Sequence, residues 1–225
     1  MRSNRTPSRP VWPAALALAL TLAGLGALAP AHAQAPASAP AAPAPAAHAL
    51  ETPLVEIDRA RPPVELEQPE GFQVRLFQDG RVYIGGQPSE AALAAMKALG
   101  VTAIVNLRTQ REMDNRDAVP YDEQAKAAEL GFEYVHLPIG GDDNPWRPEV
   151  VDGLADVLRR HPGPVLLHCT VAWRASYVWT AFLIRELGLP LDEALARGQA
   201  IALDESPLGD LLGRRVKLVY ADSAP

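Results

Sequence analysis

Apolar and polar positions divide the chain into short strands alternating with longer helices. Phe72-Gln73-Val74-Arg75-Leu76 alternates and predicts a strand. Arg81-Val82-Tyr83-Ile84 predicts a second, and Asp79-Gly80 between them is a hairpin turn signal. Ser89 is a good N-cap for a helix over 90–99, with Leu93, Met96 and Leu99 on one face and Gly100 as its stop. The apolar, β-branched run over 101–107, with Asn106 near its end, predicts a buried parallel strand. A polar loop over 108–120 follows, then a helix over 121–130 stopped by Gly131 and a strand over 132–139. Residues 140–145 are a turn-rich loop, and Pro148 suits the first position of a helix running to 160. Residues 165–168 predict the central strand. The helix from Ala175 carries Tyr177, Val178, Trp179, Ala181, Phe182, Leu183 and Ile184, apolar nearly all round, so it should be buried. Helices over 191–200 and 206–220 close the chain. This alternation predicts an α/β three-layer sandwich, with a mostly parallel central sheet flanked by helices.

Composition changes the picture at the N-terminus. Arg2, Arg5 and Arg9 precede a run of 16 Ala, Leu, Gly and Thr residues over 14–29, and Ala31-His32-Ala33 is an A-x-A cleavage pattern. Residues 1–33 therefore read as a secretory signal peptide, which places the mature protein in the periplasm or outside the cell, with no membrane attachment after cleavage. The run is short for a membrane span of about 20 residues. Residues 34–70 read as an Ala/Pro-rich tether followed by a surface arm rich in proline and charge, and 71–222 as the folded domain. Loss of three signal arginines leaves 18 basic against 27 acidic residues, a net charge of −9. No basic run survives, which argues against a nucleic-acid partner. Of five histidines, His32 and His48 lie outside the domain and the rest are scattered, so neither a metal site nor a cofactor is expected.

Chemistry concentrates where the central strand meets the buried helix. Cys169 is the only cysteine, so no internal disulfide exists, and it reads as a nucleophile or as a small buried hydrophobe. Its place at a strand end, with Arg174 five residues on and a helix starting between them, favours chemistry. A helix start offers unpaired N–H groups and positive dipole ends that bind anions and stabilise thiolate. Arg174 offers a planar fork to two oxygens of a phosphate or sulfate. His168 should face away from the pocket and hydrogen-bond the loop. Asp142 and Asp143, in the loop after the neighbouring strand, are general acid–base candidates or Asx-turn residues. Arg108 adds positive charge or forms a surface salt bridge.

His168-Cys169 with Arg174 resembles the signature of the cysteine-dependent tyrosine and dual-specificity phosphatase superfamily. Residues 82–89, 101–108 ending Asn-Leu-Arg, 134–139 and 164–169 resemble a bacterial branch, the phosphatase-like domain associated with beta-lactamase-hydrolase-like proteins. The resemblance covers about 72–187 and implies a phosphatase-like fold with the cysteine loop between central strand and buried helix. It implies a phosphocysteine mechanism on a phosphorylated substrate whose class is not legible. Cys169 would attack phosphorus. Arg174 and the amides of Thr170, Val171, Ala172 and Trp173 would hold its oxygens, with Arg108 nearby, and Asp142 or Asp143 would assist the leaving group. The loop has four residues between Cys and Arg where the superfamily usually has five, a shortening the bacterial branch shares. It contains no glycine, and Ala175 stands where a hydroxyl residue usually follows the arginine. Two other readings remain: a rhodanese-like sulfurtransferase carrying a Cys169 persulfide, and a catalytically weak or inactive domain that binds an anion or partner, which the glycine-free loop favours.

Overall fold

The computed structural model describes residues 54–67, 71–72, 74–204 and 208–215. The expected signal peptide and Ala/Pro tether lie outside the described residues. The chain forms β1 (Val64–Leu66), β2 (Leu76–Asp79), β3 (Val82–Gly85), α1 (Glu90–Ala98), β4 (Ala103–Asn106), α2 (Gln110–Met113), α3 (Glu123–Glu129), β5 (Glu133–His136), α4 (Pro148–Arg160), β6 (Val165–His168), α5 (Trp173–Arg185), α6 (Leu191–Ile201) and α7 (Leu208–Leu212).

The strands make one six-stranded sheet in the order β1-β2-β3-β6-β4-β5. Strands β3, β6, β4 and β5 run parallel, and β1 and β2 add to one edge antiparallel. The period of two along each strand sends alternate side chains into two cores. Val82, Ile84, Ala103, Val105, Val165 and Leu167 face α4, α5, α6 and α7. Tyr83, Ile104 and Leu166 face α1 and α3 on the other side. The result is the expected three-layer α/β sandwich. Every residue of β6 is buried, as a strand covered on both faces requires. Helix α5 is buried nearly all round, and its Trp179 ring stacks on Phe182 at 5.1 Å.

Several local expectations are corrected. The strand expected over 72–76 begins at Leu76, while Phe72 makes only an isolated bridge to Pro88. The two-residue turn at Gly80-Arg81 pairs Asp79 with Val82, and that register places Leu76 opposite Gly85. The segment expected as a surface arm supplies β1, whose Leu66 pairs with Leu76, and puts Val55 into the core. The fold therefore reaches N-terminally past the boundary expected at residue 71. The loop expected over 108–120 contains α2, and α5 starts at Trp173 rather than Ala175. The helix expected over 206–220 is α7, which ends before Gly213 at φ 64°; residues from 216 on lie outside the described residues. Among the described residues no helix is long and apolar enough to cross a membrane.

Candidate active site

The parallel strands β3, β6 and β4 all end at the same edge, and their following loops converge there, as open α/β sheets require of a ligand site. Beyond β6 the loop is clasped by the segment after β3. The Cys169 amide donates to Gly85 O at 3.3 Å and the Gln87 amide to Thr170 O at 3.0 Å. Gly86 permits this approach, because a Cβ there would stand 2.8 Å from Thr170 O. Ala172 then turns the chain into α5 at φ 66°, the only non-glycine residue at positive φ among those described. It caps α5 without a side-chain hydrogen bond. The first-turn amides from Trp173 to Ala175 consequently have no intrahelical acceptor.

The Arg174 side chain is 11% exposed, and both terminal nitrogens of its fork are engaged. Nη1 donates to Glu112 Oε2 at 2.7 Å, Ile139 O at 2.9 Å and Leu107 O at 3.3 Å. Nη2 donates to Glu112 Oε1 at 2.6 Å and Thr170 Oγ1 at 2.9 Å. Burial opposes its charge, but Glu112 and the Cys169 sulfur outweigh that and raise its pKa. Cys169 itself is 1% exposed.

Glu112 reaches Arg174 because α2 is tied down at its start. Thr109 and Glu112 form a reciprocal capping box, with the Thr109 amide and hydroxyl donating to Glu112 Oε2 at 2.8 and 3.0 Å. The Thr170 hydroxyl donates to Glu112 Oε1 at 2.8 Å. Burial pushes the Glu112 pKa up, but Arg174, the Thr109 amide and the Thr170 hydroxyl prevail and hold it at about 2.

These groups border a cavity of about 800 Å³. Arg108, Thr109, Gln110, Arg111, Glu112 and Asn115 form one wall, residues 140–144 another, and Arg174 closes it. Among the described residues no large apolar side chain lines it. Gly140 and Gly141, at φ 124° and 73°, turn the facing loop so that the exposed Asp142 and Asp143 border the cavity. The structure thus brings Arg108, Asp142, Asp143 and Arg174 together at one cavity, whereas the buried Cys169 is not among its lining residues. Thr170, Val171, Ala172 and Trp173 are not among the lining residues. Val171 is 52% exposed. The Trp173 ring instead packs edge-on against Trp146 and Tyr177 and donates to Asp204 at 2.6 Å.

A second polar layer lies under the loop. His168 is buried, with Nδ1 3.3 Å from Cys169 O, which matches its expected loop-bonding role, and Nε2 2.8 Å from Glu123 Oε1. Arg108 is buried rather than at the surface. Its Nη1 donates to Gln87 Oε1 at 2.5 Å, while its Nε has no hydrogen-bond partner among the described residues and stands 3.7 Å from Glu112 Oε1. Sequence reading missed both Glu112 and Glu123. The Thr109-x-x-Glu112 spacing is a capping-box signal that points to the first; nothing local points to the second.

The model of a family described as DSP-PTPase phosphatase fused to NAD+ kinase matches residues 62–205. Among solved structures, the active form of Tk-PTP is 26% identical, with a TM-score of 0.48, over 60% of this chain and 90% of that one. A DUF442 protein from Shewanella putrefaciens CN-32 is 24% identical, with a TM-score of 0.48, over 66% of this chain and 96% of its own. PTPMT1 in complex with PI(5)P shares the fold at 14% identity and a TM-score of 0.50, over 59% of this chain and 88% of that one. No curated protein matches.

Proposed function

We propose, because the chain belongs to the family of DSP-PTPase phosphatase domains whose model it matches, that it hydrolyses phosphomonoesters through a phosphocysteine at Cys169. The observation that carries this reading is the Arg174 guanidinium, held in place by Glu112, Ile139 O and Leu107 O at the start of α5, five residues after Cys169 at the end of β6. The Cys169 thiolate attacks phosphorus, forming the S–P bond as the ester P–O bond breaks. Asp142 or Asp143 gives its proton to the departing oxygen. Water then attacks the phosphocysteine, its proton returns to the same aspartate, and inorganic phosphate leaves with the thiolate restored. Arg174 and the first-turn amides of α5 stabilise the charge on the equatorial oxygens. The polar lining of the cavity suits a hydrophilic leaving group. The signal pattern over 1–33 supports action in the periplasm or outside the cell.

Phosphate release from a panel of sugar, inositol, lipid, peptide and aryl phosphates tests the reading. The wild-type chain should release phosphate, Cys169→Ser should release none, and Arg174→Ala should lose about 10²–10³-fold. Undiminished release by Cys169→Ser would refute it. A second reading, an anion-binding domain without turnover, is favoured by the glycine-free loop with Ala172 at positive φ and by Ala175 after the arginine. Calorimetric binding of vanadate with no phosphate release from any ester would select it. Thiocyanate formed from thiosulfate and cyanide would select the sulfurtransferase.

A further inference from the structure

Two consecutive residues of α5 hold the two ends of the loop that carries Asp142 and Asp143. At the loop's start, Ile139 O accepts from Arg174 Nη1 at 2.9 Å. At its end, Trp146 meets the Trp173 ring edge-on, with centroids 5.6 Å apart and planes at 88°. Between these anchors the loop closes on itself. The Gly140 amide donates to Asn144 O at 2.7 Å, and the Asn144 amide to Gly141 O at 3.3 Å. We propose that Trp146 and Trp173 are positioning residues, which fix this loop so that its acid delivers a proton to the departing oxygen. The inference rests on the phosphatase reading and adds to it what places the acid.

The clasp consists of three rings and one carboxylate. Tyr177 lies edge-on to Trp146 at 5.6 Å and 75°, and to Trp173 at 5.0 Å and 70°. Such contacts set the positive edge of one ring against the negative face of another, the arrangement aromatic pairs prefer. Tyr177 is fully buried, and both tryptophans are half-buried against the same core. Asp204, just past α6, accepts at one oxygen from Trp173 Nε1 and from the Tyr177 hydroxyl, each at 2.6 Å. These two donors hold its carboxyl below the usual carboxylate range. A charged acceptor shared by two rings fixes both, and Trp146 docks on the surface they make. The side chains of Asp142 and Asp143 have no hydrogen bond or ion pair among the described residues, so the loop backbone alone places them. That backbone turns at two glycines of positive φ, Gly140 and Gly141, whose conformational freedom makes the anchors at its ends decisive. Trp173 is itself a cysteine-loop residue absent from the cavity lining. Its side chain serves the neighbouring loop instead.

Leaving-group dependence tests the proposal. Phenyl phosphate departs as the more basic phenolate and needs the proton as its P–O bond breaks, whereas p-nitrophenyl phosphate departs readily without it. In folded Trp146→Ala, kcat/KM should fall about 10²-fold on phenyl phosphate and no more than about tenfold on p-nitrophenyl phosphate. Trp146→Phe, which keeps a ring, should recover most of the loss. Trp146→Ala should add little to a chain carrying both Asp142→Asn and Asp143→Asn, in which no acid remains to be placed. Equal losses on the two esters overturn the inference, because a contact that only stabilises the fold would not distinguish them. Hydrogen exchange followed by NMR reads the clasp without turnover. The Gly140 amide should exchange about tenfold faster in Trp146→Ala, with the amides of α4 unchanged. Unaltered exchange at Gly140 also overturns the inference. If the wild-type chain releases phosphate from no ester, the catalytic reading fails, while the exchange result still decides whether the rings hold the loop.

Discussion

Ala172 at φ 66° and ψ −11° occupies a left-handed turn that the cysteine loop needs in order to enter α5. The absence of glycine from this loop is plain in sequence, and it predicts a poorer amide nest. The structure shows the turn made nonetheless, with alanine in the strained conformation. An L-residue there costs about 1–2 kcal/mol. Glycine would remove that strain but would lose about 0.4–1 kcal/mol through a freer unfolded chain. The strain is larger, so Ala172→Gly should stabilise the protein by about 0.5–1 kcal/mol and raise Tm by about 1–4 °C. Differential scanning calorimetry checks this, and a lowered Tm would show that Ala172 is not strained.

At the level of elements, α2 has four residues, yet it delivers the carboxylate that holds the site arginine. A helix of one turn has no marginal stability of its own, so the capping box and Arg174 must sustain it. Its acid response follows from the sign of the shift. Glu112 has a folded pKa of about 2 against an ordinary 4.5, so its stabilisation is complete above about pH 4.5 and is lost as pH falls toward 2. Urea midpoints measured between pH 5 and pH 2 should fall less steeply for Glu112→Gln than for the wild type. An equal slope would mean that Glu112 is not the group titrating. The same variant should lose about 10²-fold in kcat/KM, because a misplaced guanidinium no longer meets the phosphate oxygens.

Across the whole molecule, a buried ion pair ties the antiparallel edge to the helical layer. Arg197 of α6 meets Asp79 of β2 through Nη2 at 2.5 Å and Nε at 3.1 Å, and Trp179 Nε1 donates to the same carboxylate at 2.9 Å. Arg197 Nη1 continues to Asp58 O and Arg61 O at 3.1 and 2.8 Å, so the segment before β1 hangs on the same guanidinium. Removing one partner leaves the other charge buried alone. Asp79→Ala should therefore cost about 3–5 kcal/mol and expose residues 54–67 to proteolysis. Urea unfolding with limited trypsin digestion measures both, and a loss below about 1 kcal/mol would place the pair outside the stabilising set.

What the sequence determined by itself is what short-range chemistry encodes. The alternation in Val82-Tyr83-Ile84, the apolar run at β6, the Ser89 cap and the near-continuous apolar surface of α5 each report on neighbours a few residues away, and they sufficed for the layered fold and for the cysteine–arginine loop. Three-residue β1 and four-residue α2 are too short to show a period; the sheet edge defines the first, and the second rests on its capping box and the Arg174 contact. The partners of the site were likewise decided in three dimensions. Glu112 lies 62 residues from Arg174, Glu123 lies 45 from His168, and Asp79 lies 118 from Arg197. A charged residue in a sequence looks the same whether it is solvated or buried, and only packing, by removing water, obliges it to find its partner.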